Sequence, residues 1–118
     1  MTTDDYSWLP ADIRAFIART EASYPPDAAN FSIAEQRAFY DKLCADFSPP
    51  HPQGVRAQDL AIAGVPCRRY TPDAPRAGVT ALYFHGGGFI VGGLHSHDSI
   101  CAELAEAAQV VLIAVDYR

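Results

Sequence analysis

Apolar side chains recur at helical spacing in the first part of the chain. Ile13, Phe16 and Ile17 stand at positions i, i+3 and i+4, which predicts a helix with one apolar face. Pro10 suits the first turn of this helix, and the Tyr-Pro-Pro sequence at residues 24–26 is expected to end it.

A second helix is predicted from a capping signal followed by another apolar stripe. Ser32 and Glu35 have the spacing of a capping box, in which each side chain satisfies an end N–H group of the other residue. Phe39, Leu43 and Phe47 then fall on one face. Both apolar stripes are expected to pack against other protein rather than to bind a cofactor.

The pattern changes to that of strands after residue 54. Residues 55–63 and 65–70 predict an antiparallel pair of strands joined at Gly64. Asp59 and Pro66 oppose this prediction, because both residue types are rare inside strands.

The last part of the chain alternates between strand and helix. Residues 79–84 are apolar except for Thr80, which is typical of a strand covered on both faces. A helix is predicted over residues 97–108 and a second buried strand over 109–115, so the segment forms a βαβ unit with parallel pairing and a right-handed crossover. The helical residues expected to face inward are Ile100, Cys101, Leu104, Ala105 and Ala108.

A linker separates the helical part from the strand-rich part. Residues 48–54 are rich in proline and end in glycine, a composition typical of a loop. The predicted organisation is a helical segment over residues 1–48 and the first part of an α/β core over residues 49–118. The 118 residues suit one modest domain.

Composition excludes several classes of partner. The chain is 49% hydrophobic and 19% charged, as in ordinary soluble domains, and its formal charge of −5 argues against a nucleic-acid partner. No apolar run reaches the length of a membrane span. The acidic residues 1–5 have no apolar core behind them, so no signal peptide is expected. Cys44, Cys67 and Cys101 lack metal-type spacing, which favours reduced thiols and a cytoplasmic location.

The strand at residues 79–84 runs into His85 and then into three glycines, Gly86, Gly87 and Gly88. Glycine lets its N–H group approach a ligand closely, and several such groups can hold an oxygen that becomes negative during acyl transfer. This order matches the HGGG-type motif of lipases and esterases. No serine of the chain stands in a Gly-x-Ser-x-Gly motif, so the nucleophile is missing.

Phosphate-binding and dinucleotide-binding sites also use a glycine loop after a strand. Two Gly-x4-Gly matches, at residues 87–92 and 88–93, lack the Lys and Ser or Thr of a phosphate loop. A dinucleotide motif would need a glycine at Val91, although Asp116 ends the next strand where such sites place their ribose acid. The dinucleotide site and a purely structural glycine turn therefore both stay open.

The sequence His95-Ser96-His97-Asp98 resembles a metal-ligand cluster, but a zinc site needs three or four convergent ligands. Ser96 is instead expected to cap the following helix, with Asp98 in its first turn near the positive end of the helix dipole. A nucleophile–base pair of Ser96 and His97 is disfavoured, because adjacent residues rarely have the required geometry. No metal ion and no cofactor are expected.

A more specific resemblance rests on four motifs. They are the Tyr-Phe-His-Gly-Gly-Gly-Phe sequence at residues 83–89, the glycines at 92–93, Asp98, and the Val-Asp-Tyr-Arg sequence at 115–118. Together they resemble the hormone-sensitive-lipase-like esterases of the α/β-hydrolase fold. The resemblance implies the N-terminal part of that fold, with two cap helices, an antiparallel strand pair and a βαβ unit of a mainly parallel sheet.

The resemblance also implies roles for the loop residues. Gly87 and Gly88 are expected to donate backbone N–H groups to the oxyanion, and Gly86 to shape the turn. His85 is expected to steady the loop through a side-chain hydrogen bond rather than to act as the catalytic base.

The nucleophilic serine of the family lies in Gly-Asp-Ser-Ala-Gly, and its acid and base follow later, so all three are expected beyond Arg118. Asp116 is interpreted as structural, and Gln109 departs from a glycine that relatives often carry there. The resemblance implies the N-terminal portion of a serine carboxylesterase or lipase that hydrolyses small short-acyl esters. The chain alone is expected to be inactive.

A second hypothesis treats the chain as a non-catalytic module or as half of a split protein. The strand that ends at Phe84 would expose an unpaired apolar edge if no further strand lay beside it. Such an edge predicts association with a complementary chain or with a second copy.

Overall fold

A computed structural model describes residues 6–118. The acidic residues 1–5 lie outside the described residues, and so does the signal-peptide prediction that rests on them. The chain divides into two compact units, the first ending at Phe31 and the second spanning Ser32–Arg118. The division predicted near residue 48 stays a prediction.

The first unit contains helix α1, Ala11–Ser23, and a short 3-10 helix, Ala28–Asn30. Pro10 occupies the N-cap of α1, and Tyr24 is its C-cap, so the helix ends before the two prolines as predicted. The apolar stripe is not buried as expected, because Ile13 and Phe16 remain 43% and 55% exposed.

The second unit begins with helix α2, Ile33–Phe47, and its start confirms the predicted capping box. The Ser32 N–H donates to Glu35 Oε2 at 2.8 Å, and the Glu35 N–H donates to Ser32 Oγ at 3.3 Å. Leu43 is buried, and Phe39 and Phe47 on the same face are half-buried, as the apolar spacing predicted.

A mixed sheet of four strands follows, in the order β1-β2-β4-β3. Neighbours are antiparallel in the pairs β1–β2 and β2–β4 and parallel in the pair β3–β4, and helix α3, Asp98–Ala108, connects the parallel pair. This confirms the predicted strand pair and βαβ unit of an α/β fold. The strands are β1 Val55–Ile62, β2 Val65–Pro72, β3 Thr80–Phe84 and β4 Val111–Val115.

The turn between β1 and β2 consists of Ala63 and Gly64, whose φ angles are 50° and 79°. Positive φ at both central residues is the geometry that matches the twist of a two-residue hairpin. Asp59 and Pro66 lie inside these strands, paired with Arg68 and Ala61. Asp59 is tolerated because its carboxylate bonds Arg68 across the strands at 2.5 Å.

Helix α3 packs on the sheet through small side chains, and the predicted inward face was partly wrong. Cys101, Ala102 and Ala105 are buried against Tyr70, Leu112 and Ala114 of β2 and β4. Ile100 and Leu104 are 46% and 47% exposed, and Ala108 is also exposed. Small side chains allow the helix to approach the sheet closely, so the bulkier residues lie on the other side.

Strand β3 also differs from the prediction. Leu82 and Phe84 are each 61% exposed, whereas Ala81 and Tyr83 pack against the core. The described residues therefore cover one face of β3, not the two that its apolar sequence predicted.

The ends of α3 correct two further predictions. His97, not Ser96, holds the N-cap position, and it forms no side-chain capping bond. Gln109 adopts the left-handed conformation with φ 52°, so the helix ends at Ala108 and β4 begins at Val111 rather than at Gln109. A glycine would adopt this conformation without strain. Gln109 adds a side-chain bond from its amide to the Glu106 carbonyl at 2.7 Å.

The three cysteines are free thiols, and Cys67 and Cys101 are buried. Burial raises the pKa of Cys101 to about 12. Among residues 6–118, no helix combines the length and apolar character needed to cross a membrane.

The carboxylate of Asp98 joins α3 to the sheet. Tyr70 Oη donates to it at 2.5 Å, Arg68 Nη1 at 2.9 Å and His51 Nε2 at 2.5 Å. Burial of Asp98 opposes ionisation, but the hydrogen bonds from Tyr70, Arg68 and His51 together outweigh it and lower the pKa of the carboxyl group. Arg68 also bonds Asp59, so a small charged network spans β1, β2 and the start of α3.

We expect Asp98→Asn to lower the free energy of unfolding by about 1–3 kcal/mol, because the Arg68 guanidinium loses a charged acceptor where its side chain is only 13% exposed. Urea denaturation measures this loss. Asp46→Asn, in the exposed pair with Lys42, is the matched control and should change stability by less than about 0.5 kcal/mol.

The stabilising contribution of Asp98 should decrease at acidic pH. Because folding lowers the pKa of Asp98, its contribution to stability is present above the unfolded carboxyl pKa of about 3.9 and is lost as pH falls through the lower folded value. The urea midpoint of the wild type should therefore fall more steeply below about pH 4 than that of Asp98→Asn. Parallel curves for the two proteins would contradict this assignment.

Candidate functional site

The parallel pairing of β3 and β4 brings two of the sequence motifs to one edge of the sheet. Phe84 pairs with Val115, so the glycine loop after β3 and residues 116–118 after β4 leave the sheet at the same end. The carboxyl ends of parallel strands are where α/β folds commonly bind ligands.

The loop over residues 85–93 contains a run of left-handed backbone. Gly87, Gly88, Phe89 and Gly92 have φ angles of 132°, 61°, 64° and 94°. A Cβ at Gly87 would lie 1.8 Å from the Val91 carbonyl oxygen, which no side chain can tolerate. Gly87 is thus required by close packing of the loop on itself, whereas Gly88 has open space around it and is required only by its φ angle.

The Gly86 carbonyl is held by the side chain of His85. The distance from His85 Nδ1 to Gly86 O is 2.9 Å, and Nδ1 must carry the proton because a carbonyl only accepts. The chain has no cis peptide bonds, and in a trans peptide the C=O and N–H groups point in opposite directions. The bond therefore directs the Gly87 N–H away from the His85 ring.

The next peptide unit is held in the same manner. The Gly87 carbonyl accepts from the N–H groups of Ile90 and Val91, each at 3.1 Å, so the Gly88 N–H points away from these two amides. Within the described chain, neither Gly87 nor Gly88 donates its N–H to another residue. Two consecutive N–H groups are thus fixed in direction without an internal acceptor.

His85 is itself fixed by the chain that follows β4. Its side chain is only 8% exposed and stacks on Tyr117, with ring centroids 4.3 Å apart and an interplanar angle of 16°. The Tyr117 hydroxyl donates to the His85 carbonyl oxygen. The base of the loop is therefore held through both the ring and the backbone of His85.

The side chains of Ser96 and His97 are in hydrogen-bond contact, although adjacent residues were not expected to have this geometry. Ser96 Oγ lies 3.0 Å from His97 Nδ1, but it also accepts from the Gly93 N–H at 2.9 Å. Ser96 is 5% exposed, and its hydroxyl stabilises the loop through this hydrogen bond with Gly93. Burial and the neighbouring His85 ring lower the pKa of His97, which favours its neutral form.

Among residues 6–118, no group of three or more His, Cys, Asp or Glu side chains is placed to hold a metal ion. Asp98 is bound by Arg68 and Tyr70 instead.

A cavity of about 400 Å³ lies beside the loop. Helix α2 lines it with Arg37 and Asp41, and the loop lines it with His85, Phe89 and Val91 rather than with the three glycines. The chain after β4 completes it, and the remaining lining residues are Gly92, Gly93, Leu94, His95, Asp116, Tyr117 and Arg118.

Sequence reasoning missed two residues that hold the loop. A sequence feature could have identified Tyr117, because this residue lies in the Asp-Tyr-Arg motif at residues 116–118. Arg37, whose Nε donates to the Ile90 carbonyl at 2.6 Å, had none, since 53 positions separate the two residues along the chain. Asp116 donates its N–H to Pro66 O at 2.9 Å, which ties the end of β4 to β2.

Comparison with known proteins agrees with the fold. Residues 81–118 match the model of a family described as having the alpha/beta hydrolase fold. A solved structure titled as a hormone-sensitive lipase from a metagenome library has a TM-score of 0.73 and 30% identity, over 92% of this chain and 34% of its own. The chain thus has the α/β-hydrolase fold and is similar to hormone-sensitive-lipase-like esterases.

Two curated relatives are esterases by name. Ethyl acetate hydrolase of Pseudomonas putida is 51% identical over 57 residues, which cover 46% of this chain and 18% of that protein. Esterase LipI of Mycobacterium tuberculosis is 44% identical over 78 residues, covering 59% of this chain and 24% of its own. The chain therefore spans about a quarter or less of the length of these relatives.

We expect Tyr117→Phe to lower the free energy of unfolding by about 0.5–1.5 kcal/mol, because it removes the hydrogen bond to the His85 carbonyl and keeps the stacked ring. Tyr117→Leu removes both contacts and should cost more. Thermal unfolding measures the difference, and equal stability of the wild type and both variants would contradict the described role of Tyr117.

Proposed function

We propose that these residues form the N-terminal, oxyanion-binding part of a serine carboxylesterase or lipase that hydrolyses short-acyl esters. The nucleophile, acid and base lie outside these 118 residues in this proposal. One observation carries it: Gly87 and Gly88 present consecutive N–H groups whose directions are set by bonds to the preceding carbonyls.

In the proposed reaction, a serine oxygen attacks the ester carbonyl, and the carbonyl oxygen becomes negative. The N–H groups of Gly87 and Gly88 donate to that oxygen, and the proposed base takes the serine proton and passes it to the alcohol as the alcohol leaves. Water then releases the acyl group from the serine as a carboxylic acid. Donors that are already oriented need no reorganisation as charge develops, which is why such sites lower the barrier.

The size and lining of the cavity beside the loop support a small substrate, although Gly87 and Gly88 do not themselves line that cavity. Its volume of about 400 Å³ lies in the range of small-molecule sites, and Phe89, Val91 and Leu94 provide apolar surface. The relative from Pseudomonas putida is named for ethyl acetate, a short-acyl ester. We therefore propose short-acyl esters as the substrate class.

A second proposal is that the chain acts as a module that pairs with another chain. Strand β3 lies at one edge of the sheet, and Leu82 and Phe84, on one of its faces, are each 61% exposed. An apolar strand at a sheet edge is a template for pairing. The partner would be a complementary chain that continues the sheet, or a second copy.

For the 118-residue chain alone, we expect no hydrolysis of p-nitrophenyl acetate above that of a Gly87→Ala, Gly88→Ala double variant, because the chain lacks a nucleophile. Sedimentation should show self-association through the β3 edge. Turnover that depends on the two glycines would contradict the absence of a nucleophile. A sharply unfolding monomer would contradict pairing of the edge.

A hybrid enzyme tests the oxyanion role directly. In it, this chain replaces the corresponding N-terminal residues of the Pseudomonas putida ethyl acetate hydrolase. We expect the hybrid to hydrolyse ethyl acetate. Gly87→Ala keeps its N–H group but places a Cβ 1.8 Å from the Val91 carbonyl oxygen, which displaces the donor, so kcat should fall by about a hundredfold or more, a loss like that of removing an oxyanion donor.

Gly78→Ala is the matched control. Gly78 also has a positive φ, 72°, but a Cβ there meets nothing within 4 Å, so the substitution carries backbone strain without blocking the loop. It should leave kcat within about threefold of the unmodified hybrid, since its Cβ meets nothing that would displace an oxyanion donor. Equal activities of the Gly87 and Gly78 variants would overturn the proposed function.

A further inference from the structure

We propose that Arg37 is a positioning residue for the candidate oxyanion loop, acting through Ile90 rather than on the substrate. The inference deepens the proposed function and rests on it. It concerns how helix α2, which precedes the sheet in the chain, sets the direction of an N–H group in the loop after β3.

The start of α2 determines where Arg37 points. The capping box of Ser32 and Glu35 begins the helix, and Arg37 follows in the next turn. Arg37 and Asp41 are four positions apart, hence on one face, and both line the cavity. From this face the Arg37 Nε donates to the Ile90 carbonyl at 2.6 Å.

Ile90 is then held at both of its backbone polar groups. Its carbonyl accepts from Arg37, and its N–H donates to the Gly87 carbonyl at 3.1 Å. The Gly87 carbonyl belongs to the same peptide unit as the Gly88 N–H and points opposite to it. A shift of Ile90 therefore changes the direction of a proposed oxyanion donor.

Packing does little to hold this side of the loop. Phe89 is 83% exposed and has the left-handed φ of 64°, and Ile90 is 47% exposed. A side chain in the left-handed region favours relaxation to another conformation. The charge-assisted bond from Arg37 opposes that relaxation at the adjacent residue.

Hydrogen exchange on the 118-residue chain tests the contact without any need for activity. Arg37→Gln should accelerate exchange of the Ile90 and Val91 amides by about tenfold or more, because both donate to the Gly87 carbonyl. Arg37→Lys should restore part of the protection. Arg56→Gln, which changes an exposed arginine on β1, should leave these two amides within about twofold of the wild type.

The same substitutions in the hybrid esterase test the catalytic consequence. Arg37→Gln should lower kcat for ethyl acetate by about tenfold and leave KM within about twofold, since an oxyanion donor acts in the transition state rather than in substrate binding. Arg37→Lys should recover part of the loss in kcat. An effect on KM alone, or none on kcat, would overturn the positioning role.

The two proposals fail in distinguishable ways. A hybrid whose activity is unaffected by Gly87→Ala would overturn the proposed function. It would also overturn the proposed effect of Arg37 on kcat. Unchanged exchange of the Ile90 and Val91 amides in Arg37→Gln would overturn the role of Arg37 alone, whatever Gly87→Ala does.

Discussion

The carboxylate of Asp98 is the interaction on which the second unit depends. It receives hydrogen bonds from Tyr70 and Arg68 of β2 and from His51 of the linker, and it stands at the first position of α3. Because the three donors come from distant parts of the chain, the carboxylate fixes where α3 begins above the sheet. The chain between β3 and α3 must then return to that point, which confines the glycine loop.

The parallel pairing of β3 with β4 fixes where the glycine loop begins. It places the loop after β3 beside Tyr117, which holds His85 by stacking and by a hydrogen bond to its carbonyl. His85 in turn holds the Gly86 carbonyl. The bond to the Gly86 carbonyl leaves the Gly87 N–H, which belongs to the same peptide unit, directed away from the His85 ring. Orientation of the proposed donors is a consequence of how the loop is tied to the sheet.

Several large apolar side chains of the α/β layer are exposed among the described residues. Leu82 and Phe84 of β3 are exposed, and so are Ile100 and Leu104 of α3. The relatives are several times longer than the matched segments, and the similar solved structure is covered over 34% of its chain. At these side chains, the apolar periodicity of the sequence predicted burial that residues 6–118 do not provide.

Local physics was readable from the sequence. The capping box of Ser32 and Glu35, the turn at Gly64 and the run of β3 into three glycines are set by hydrogen bonds and backbone sterics between close neighbours in the chain. The α/β order of the elements followed from apolar periodicity, and the motif around His85 predicted the oxyanion-binding site that is proposed above.

Tertiary structure alone decided which groups meet across the chain. The burial of Ala102 instead of Leu104, the three partners of Asp98 and the reach of Arg37 to Ile90 all depend on distances between elements, which no local pattern encodes. Ser96 bonds the loop and leaves the N-cap to His97, because the position of α3 is set by the sheet rather than by its own first turn.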